Sequence, residues 1–142
     1  MLTIVLKRVC KNCGKSLTYR NFRFCSEQCS ADYRYKDYIK RWKAGLETGF
    51  RRGASSSQYV RRYLFGKFKG QCTKCGWSET NPFTGTIPIE LEHIDGDYRN
   101  CSEENLTLLC PNCHSLTATY KGLNKGKGRP SRRSSAGRAS HL

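Results

Sequence analysis

Residues 87–114 read IPIELEHIDGDYRNCSEENLTLLCPNCH, and the succession of signals in this stretch decides the fold. Ile87, Ile89 and Leu91 alternate with Pro88, Glu90 and Glu92, the period of two expected of a half-buried strand. Gly96 and Asp97 mark its end, so a strand is predicted within 87–97. A polar loop follows, and Leu106, Leu108 and Leu109 predict a second short strand. Beyond Cys110, Pro111 occupies a position that the first turn of a helix tolerates, and 111–120 is expected to be helical. The order is strand, loop, strand, helix.

Cysteines bracket this unit. Cys72-x2-Cys75 opens it and Cys110-x2-Cys113 falls at the predicted helix start, with 34 residues between the pairs. Four cysteines complete a tetrahedral zinc shell, which ties the helix to the entrance of the unit. The gap is long for a simple ribbon, so the insert is where a function would be built. Further toward the N-terminus, Cys10-x2-Cys13 and Cys25-x3-Cys29 stand eleven residues apart and predict a second structural zinc, with no coordination position left for water or substrate. Eight of the nine cysteines are thus paired for metal and Cys101 is left over. An odd count, CxxC spacing and an opening apolar run too short for a signal peptide argue for zinc in a reducing compartment rather than for disulfides, and a cytoplasmic location is expected.

Ser26 reads as a helix N-cap, with a helix over 27–44 closed by Gly45. Tyr35, Tyr38, Ile39 and Trp42 recur at helical spacing, and this stripe is expected to pack on the N-terminal zinc knuckle. Residues 45–57 are Gly/Ser-rich and read as a linker before a second helix over about 58–68. The division predicted is a zinc knuckle and helix over 1–49, a basic linker and helix over 50–71, the cysteine-bracketed unit over 72–122, and a disordered basic tail over 123–142. With 37% hydrophobic residues, so small a chain has a marginal core, and zinc acts as its staple.

The net charge of +15 is unevenly placed. Residues 1–71 hold 17 Lys/Arg against 4 Asp/Glu, residues 72–120 hold 2 against 7, and residues 121–142 hold 7 against none. Basic arms suit a polyanion, whose neutralised phosphates release counterions, whereas an acidic centre suits a bound cation. Arg61, Arg62, Lys67 and Lys69, just before the acidic unit, are the candidate DNA contacts, and the tail adds non-specific affinity. No stretch approaches the roughly 18 apolar residues of a membrane span, so no membrane partner is expected.

Glu92-His93 at the end of the first strand, Asn105 in the loop and His114 on the helix together match a three-part signature. In LEHIDGD…ENLTLLCPNCHSLT, residues 72–122 resemble the four-cysteine branch of the HNH endonucleases, including small phage-encoded homing enzymes. The resemblance implies a small α+β fold with a ββα-metal module, and hydrolysis of DNA phosphodiesters to 5′-phosphate and 3′-hydroxyl ends. It implies one catalytic divalent ion, Mg²⁺ or Mn²⁺, held by Glu92 and His114, in addition to two structural zinc ions. His93 is then the general base, since a neutral imidazole takes a proton from water near neutral pH. Asn105 orients the loop and the His93 ring. Adjacent strand residues point to opposite faces, so a twist or bulge at the strand end is expected if Glu92 and His93 are to serve one site. One module cuts one strand, so a monomer or a transient homodimer is expected. The rival reading is a non-enzymatic zinc-ribbon DNA-binding protein, which explains the cysteines and the basic arms but not the four signature residues arriving together.

Overall fold

The structure, a computed structural model, describes residues 8–18, 23–51 and 56–124. Residues 52–55 of the expected linker and 125–142 of the expected tail lie outside the described residues. The architecture is small α+β: helices α1 (Glu27–Lys43) and α2 (Gln58–Lys67), strands β1 (Glu90–His93) and β2 (Leu106–Leu109), and a short helix α3 (Pro111–Ser115). No described helix is long and apolar enough to cross a membrane.

The two long helices start where side chains can replace missing backbone acceptors. Ser26 Oγ accepts from Cys29 N at 3.1 Å, and Ser57 Oγ accepts from Tyr59 N at 3.2 Å. α1 ends in Gly45 at φ +73°, and its last carbonyls are taken by Gly45 N and Leu46 N at 3.0 and 2.9 Å. The apolar stripe of α1 does not pack on the knuckle as expected. Ile39 and Trp42 join Val60 and Leu64 of α2 and Leu106 and Leu108 of β2 in one core that also holds Cys101, with Tyr35 and Tyr38 against it. The reason is complementarity: α2 offers Val60 and Leu64, both 0% exposed. Such side chains contribute about 1.5–3 kcal/mol each on full burial. A four-cysteine knuckle presents little apolar surface, and Phe24 against Tyr33, ring centroids 5.2 Å apart, supplies the contact there.

The described residues of the expected linker, 45–51 and 56–57, are also fixed. Trp42 Nε1 donates to the Cys101 carbonyl across 2.8 Å in the core, and Gly49 lies beside this bond at φ +71°. Gly49 O accepts from Ser57 N at 2.8 Å, Phe50 meets Tyr98 edge-on at 5.8 Å, and Ser56 is buried.

β1 and β2 pair antiparallel in the register Glu90 with Leu109, Leu91 with Leu108, Glu92 with Thr107 and His93 with Leu106. Paired residues share a face. Leu91, His93, Leu106 and Leu108 therefore face the main core, while Glu90, Glu92, Thr107 and Leu109 face the other way. There Leu109 gathers Cys72, Cys110, Cys113 and Trp77 into a second, smaller cluster. The strand begins later than expected because Pro88 has no N–H for a ladder, and Ile89 N bonds Ile87 O in a tight local turn at 2.8 Å. α3 stops at Ser115, short of the expected 120. Thr117 N and Oγ1 both bond the His114 carbonyl, at 3.1 and 2.9 Å, and so close the turn.

Candidate metal and catalytic site

Two four-cysteine groups stand where the spacing places them: Cys10, Cys13, Cys25 and Cys29, and Cys72, Cys75, Cys110 and Cys113. Within each, the ligand atoms all lie within 4.8 Å of one another. All nine cysteines are free of disulfides. Sulfurs at tetrahedral corners about 2.3 Å from a zinc sit about 3.8 Å apart. Cys13–Cys25, Cys25–Cys29 and Cys75–Cys110 separations of 3.6, 3.5 and 3.8 Å fit that edge. The turns are built as anion cradles. Burial works to raise the Cys10 thiol, but the backbone N–H groups of Cys13, Cys25 and Asn12 prevail and hold it down at about 6. At Cys72 burial again opposes, and backbone N–H groups of Cys110, Cys75 and Lys74 bring it to about 6. Such donors suit the thiolates that a structural zinc requires.

α3 begins at the second zinc group, with Cys110 Sγ accepting from Cys113 N at 3.4 Å. His114 follows directly and is thereby turned toward the acidic face of β1. Its Nδ1 lies 2.8 Å from Glu90 Oε2, and its Nε2 lies 2.9 Å from Glu92 Oε2. Thr119 Oγ1 donates to the other oxygen of Glu92, Oε1, at 2.6 Å. Tyr120 stacks edge-on against the His114 ring with centroids 5.3 Å apart. Glu92 is 8% exposed, whereas the Glu90 side chain is about half exposed. Glu92 and His114 are thus brought together, with Glu90 and Thr119 added. Glu90 was legible as a same-face neighbour of Glu92, two residues away on a strand. Thr119 carried no signal, because its approach depends on where α3 stops.

His93 lies elsewhere. The register runs unbroken through His93, so the bulge expected at the strand end is not there. Its side chain leaves on the core face, 8% exposed, with Nε2 3.5 Å from Cys101 Sγ. Burial pushes the Cys101 thiol up to about 11, so it stays neutral beside the ring. The turn after His93 is held by Asn105, itself buried. Asn105 Oδ1 accepts from Asp95 N at 3.0 Å, its Nδ2 donates to Asp95 Oδ1 at 2.9 Å and to Asn100 O at 2.8 Å, and its carbonyl accepts from Ile94 N at 2.9 Å. Four bonds from one residue lock the loop on both sides of Gly96, whose carbonyl accepts from Asn124 Nδ2 at 2.6 Å.

The four basic candidates, Arg61, Arg62 and Lys67 on α2 and Lys69 just beyond it, are all exposed, and the first three are engaged. Arg61 Nε bonds Ser56 Oγ at 3.2 Å. Arg62 reaches Asp32 at 3.5 Å and lies 4.2 Å from the centroid of the Tyr35 ring. Lys67 pairs with Glu103 at 2.6 Å. Lys69 sits in a left-handed turn at φ +54°.

Among known proteins, the H-N-H endonuclease F-TflIV of Escherichia phage T5 is 35% identical over 97 aligned residues, covering 65% of this chain. The chain spans 40% of that relative's length. No protein-family model and no solved structure matches the chain. The relative is an HNH endonuclease, and this kinship supports the family resemblance carried by residues 72–122.

Proposed function

We propose that the chain is a metal-dependent DNA endonuclease of the HNH type, with β1, β2 and α3 serving as its ββα-metal module. The observation that carries the reading is the convergence of Glu92 Oε2 and His114 Nε2, 2.9 Å apart, from a strand and a helix that the second cysteine group joins. Two cis ligands of an octahedral Mg²⁺ or Mn²⁺, each about 2.1 Å from the ion, are about 3.0 Å apart. The pair therefore fits such an ion as well as it fits a hydrogen bond. A divalent ion held there would polarise the scissile phosphate and stabilise the departing 3′ oxygen.

The protein's own groups divide the remaining work. Glu92 and His114 bind and orient. His93 is assigned the proton of the attacking water by its place in the signature; to take it at Nε2 the ring must exchange its contact with Cys101 for water and turn from the core face on which it is buried. A neutral thiol at 3.5 Å competes weakly for that nitrogen. Asn105 fixes the turn that follows His93 and so sets where the strand ends. The basic side chains around α2, with Lys69 foremost because no pairing among the described residues draws it inward, contact the phosphate backbone together with the tail. By resemblance, the biological role proposed is phage homing, with double-strand cutting by two modules or by successive nicks.

Nicking of supercoiled plasmid in Mg²⁺ or Mn²⁺ tests the proposal, comparing wild type with His93→Ala at equal zinc content. Cleavage by wild type and its loss in the variant support the assignment. Wild type that binds plasmid and leaves it intact in both metals, on targets that include its cognate sequence, returns the reading to a zinc-ribbon DNA binder.

A further inference from the structure

Each of the two proposed metal ligands presents one atom to the other and has its second atom held by a partner. Glu92 offers Oε2 inward while Oε1 accepts from Thr119 Oγ1 at 2.6 Å. His114 offers Nε2 inward while Nδ1 faces Glu90 Oε2 at 2.8 Å. The two arrangements are independent, since Glu90 comes from β1 and Thr119 from the turn after α3. An imidazole can bind a cation through only the nitrogen that carries a lone pair, and the hydrogen bond at the other nitrogen decides which one that is. A carboxylate can swing between its two oxygens unless one of them is occupied.

We infer that Glu90 and Thr119 are positioning residues for the divalent ion, Glu90 by fixing the proton of His114 on Nδ1 and Thr119 by reserving Glu92 Oε2. The inference rests on the proposed role of Glu92 and His114 as ligands. Glu90 keeps the Nε2 lone pair directed at the site. Glu90 is half exposed, whereas Glu92 is buried. The pattern explains why two carboxylates flank one histidine without both being ligands: they meet opposite nitrogens of the same ring.

The test is Mn²⁺ binding to the zinc-loaded full chain, read from the free-ion EPR signal. Wild type is compared with Glu90→Ala, Glu90→Gln, Thr119→Val and Glu92→Ala, each checked for two zinc ions and an unchanged melt. Loss of a partner behind a metal ligand typically weakens metal binding about 10- to 100-fold. Glu90→Ala is expected in that range, Thr119→Val near its lower end, and Glu90→Gln between wild type and Glu90→Ala, because an amide oxygen still accepts from Nδ1. Long-range ¹H–¹⁵N correlation on the Mg²⁺ form should place the His114 proton on Nδ1 in wild type and redistribute it in Glu90→Ala. Wild-type binding that depends on Glu92, joined to unaltered affinity in the Glu90 and Thr119 variants, overturns the inference alone. Wild-type binding no stronger than that of Glu92→Ala overturns the metal assignment and the inference with it. If Glu90→Ala fails the folding check, Glu90→Gln decides, and affinity equal to wild type there counts against the role of Glu90.

Discussion

Gly49→Ala should separate two costs that the fold imposes at one position. Gly49 adopts φ +71°, where a side chain costs about 1–2 kcal/mol from backbone sterics alone. A Cβ there would also lie 2.6 Å from Trp42 Nε1 and 2.9 Å from the Cys101 carbonyl oxygen, directly in the buried hydrogen bond between them. Forcing that bond apart leaves a donor and an acceptor without partners in the core, which costs about 1–3 kcal/mol. Gly45 provides the control, because it has almost the same φ, +73°, and open space around its Cβ position. Gly45→Ala should therefore show the backbone cost alone, and Gly49→Ala that cost plus about 1–3 kcal/mol more. Urea unfolding with zinc retained, followed by the fluorescence of Trp42 and Trp77, measures both. A difference between the two variants below about 0.5 kcal/mol, the range of an inconsequential surface change, would refute the claim that Gly49 admits the Trp42–Cys101 bond. The consequence extends to the site, since Cys101 touches His93.

Cys72→Ser should reduce bound zinc from two ions to one per chain and release α3 and the Cys72–Cys75 turn, because structural zinc binding is folding free energy; elemental analysis with amide NMR checks this, and a native-like spectrum with one zinc would contradict it. Glu103→Gln should lower stability by about 1 kcal/mol at neutral pH, discounted for partial exposure of the pair. Lys67, and then Tyr63, hold the Glu103 carboxyl below its ordinary 4.5, so its contribution is fully present above that value and fades as pH falls through the lowered one. The difference between wild type and variant in urea melts should therefore be constant above about pH 5 and shrink on acidification. A gap that widens toward acid would reverse the assigned sign.

Much of the fold was legible because its signals were local. Ser26 and Gly45 bracket α1 for reasons of capping that depend on a few neighbouring residues, and α2 starts where the Gly/Ser-rich stretch gives way to Gln58. The cysteine groups were legible by spacing. What escaped was set by partners distant in sequence. Nothing in the periodicity of Tyr35, Tyr38, Ile39 and Trp42 says whether the stripe meets the knuckle or α2, since a stripe names a face and not its occupant. Gly49 and Ser56 looked like linker by composition, yet the first is demanded by a bond between Trp42 and Cys101, residues 59 positions apart. The strand and α3 were expected too long because period and proline position mark where an element can run. Pro88 and the Thr117 hydroxyl determine where these two stop.

At the site, the parity of β1 governs the outcome. The pairing of Glu90 with Leu109 and of His93 with Leu106 sends the two glutamates to the α3 side and His93 to the core side. A slip of one residue would exchange every one of them. That register is pinned from outside the strand pair: Thr73 N donates to Leu108 O at 2.9 Å, and Thr73 and Thr107 hydroxyls meet at 2.7 Å, one residue from Cys72. The second cysteine group thus holds β2 through Thr73 and α3 through Cys110 and Cys113 at once. A five-residue helix has no stability of its own in water, so nothing else in α3 can keep His114 opposite Glu92. Removal of that zinc should consequently dissolve the Glu92–His114 pair before it unfolds the main core, whose Leu64, Val60 and Trp42 contacts involve no zinc ligand.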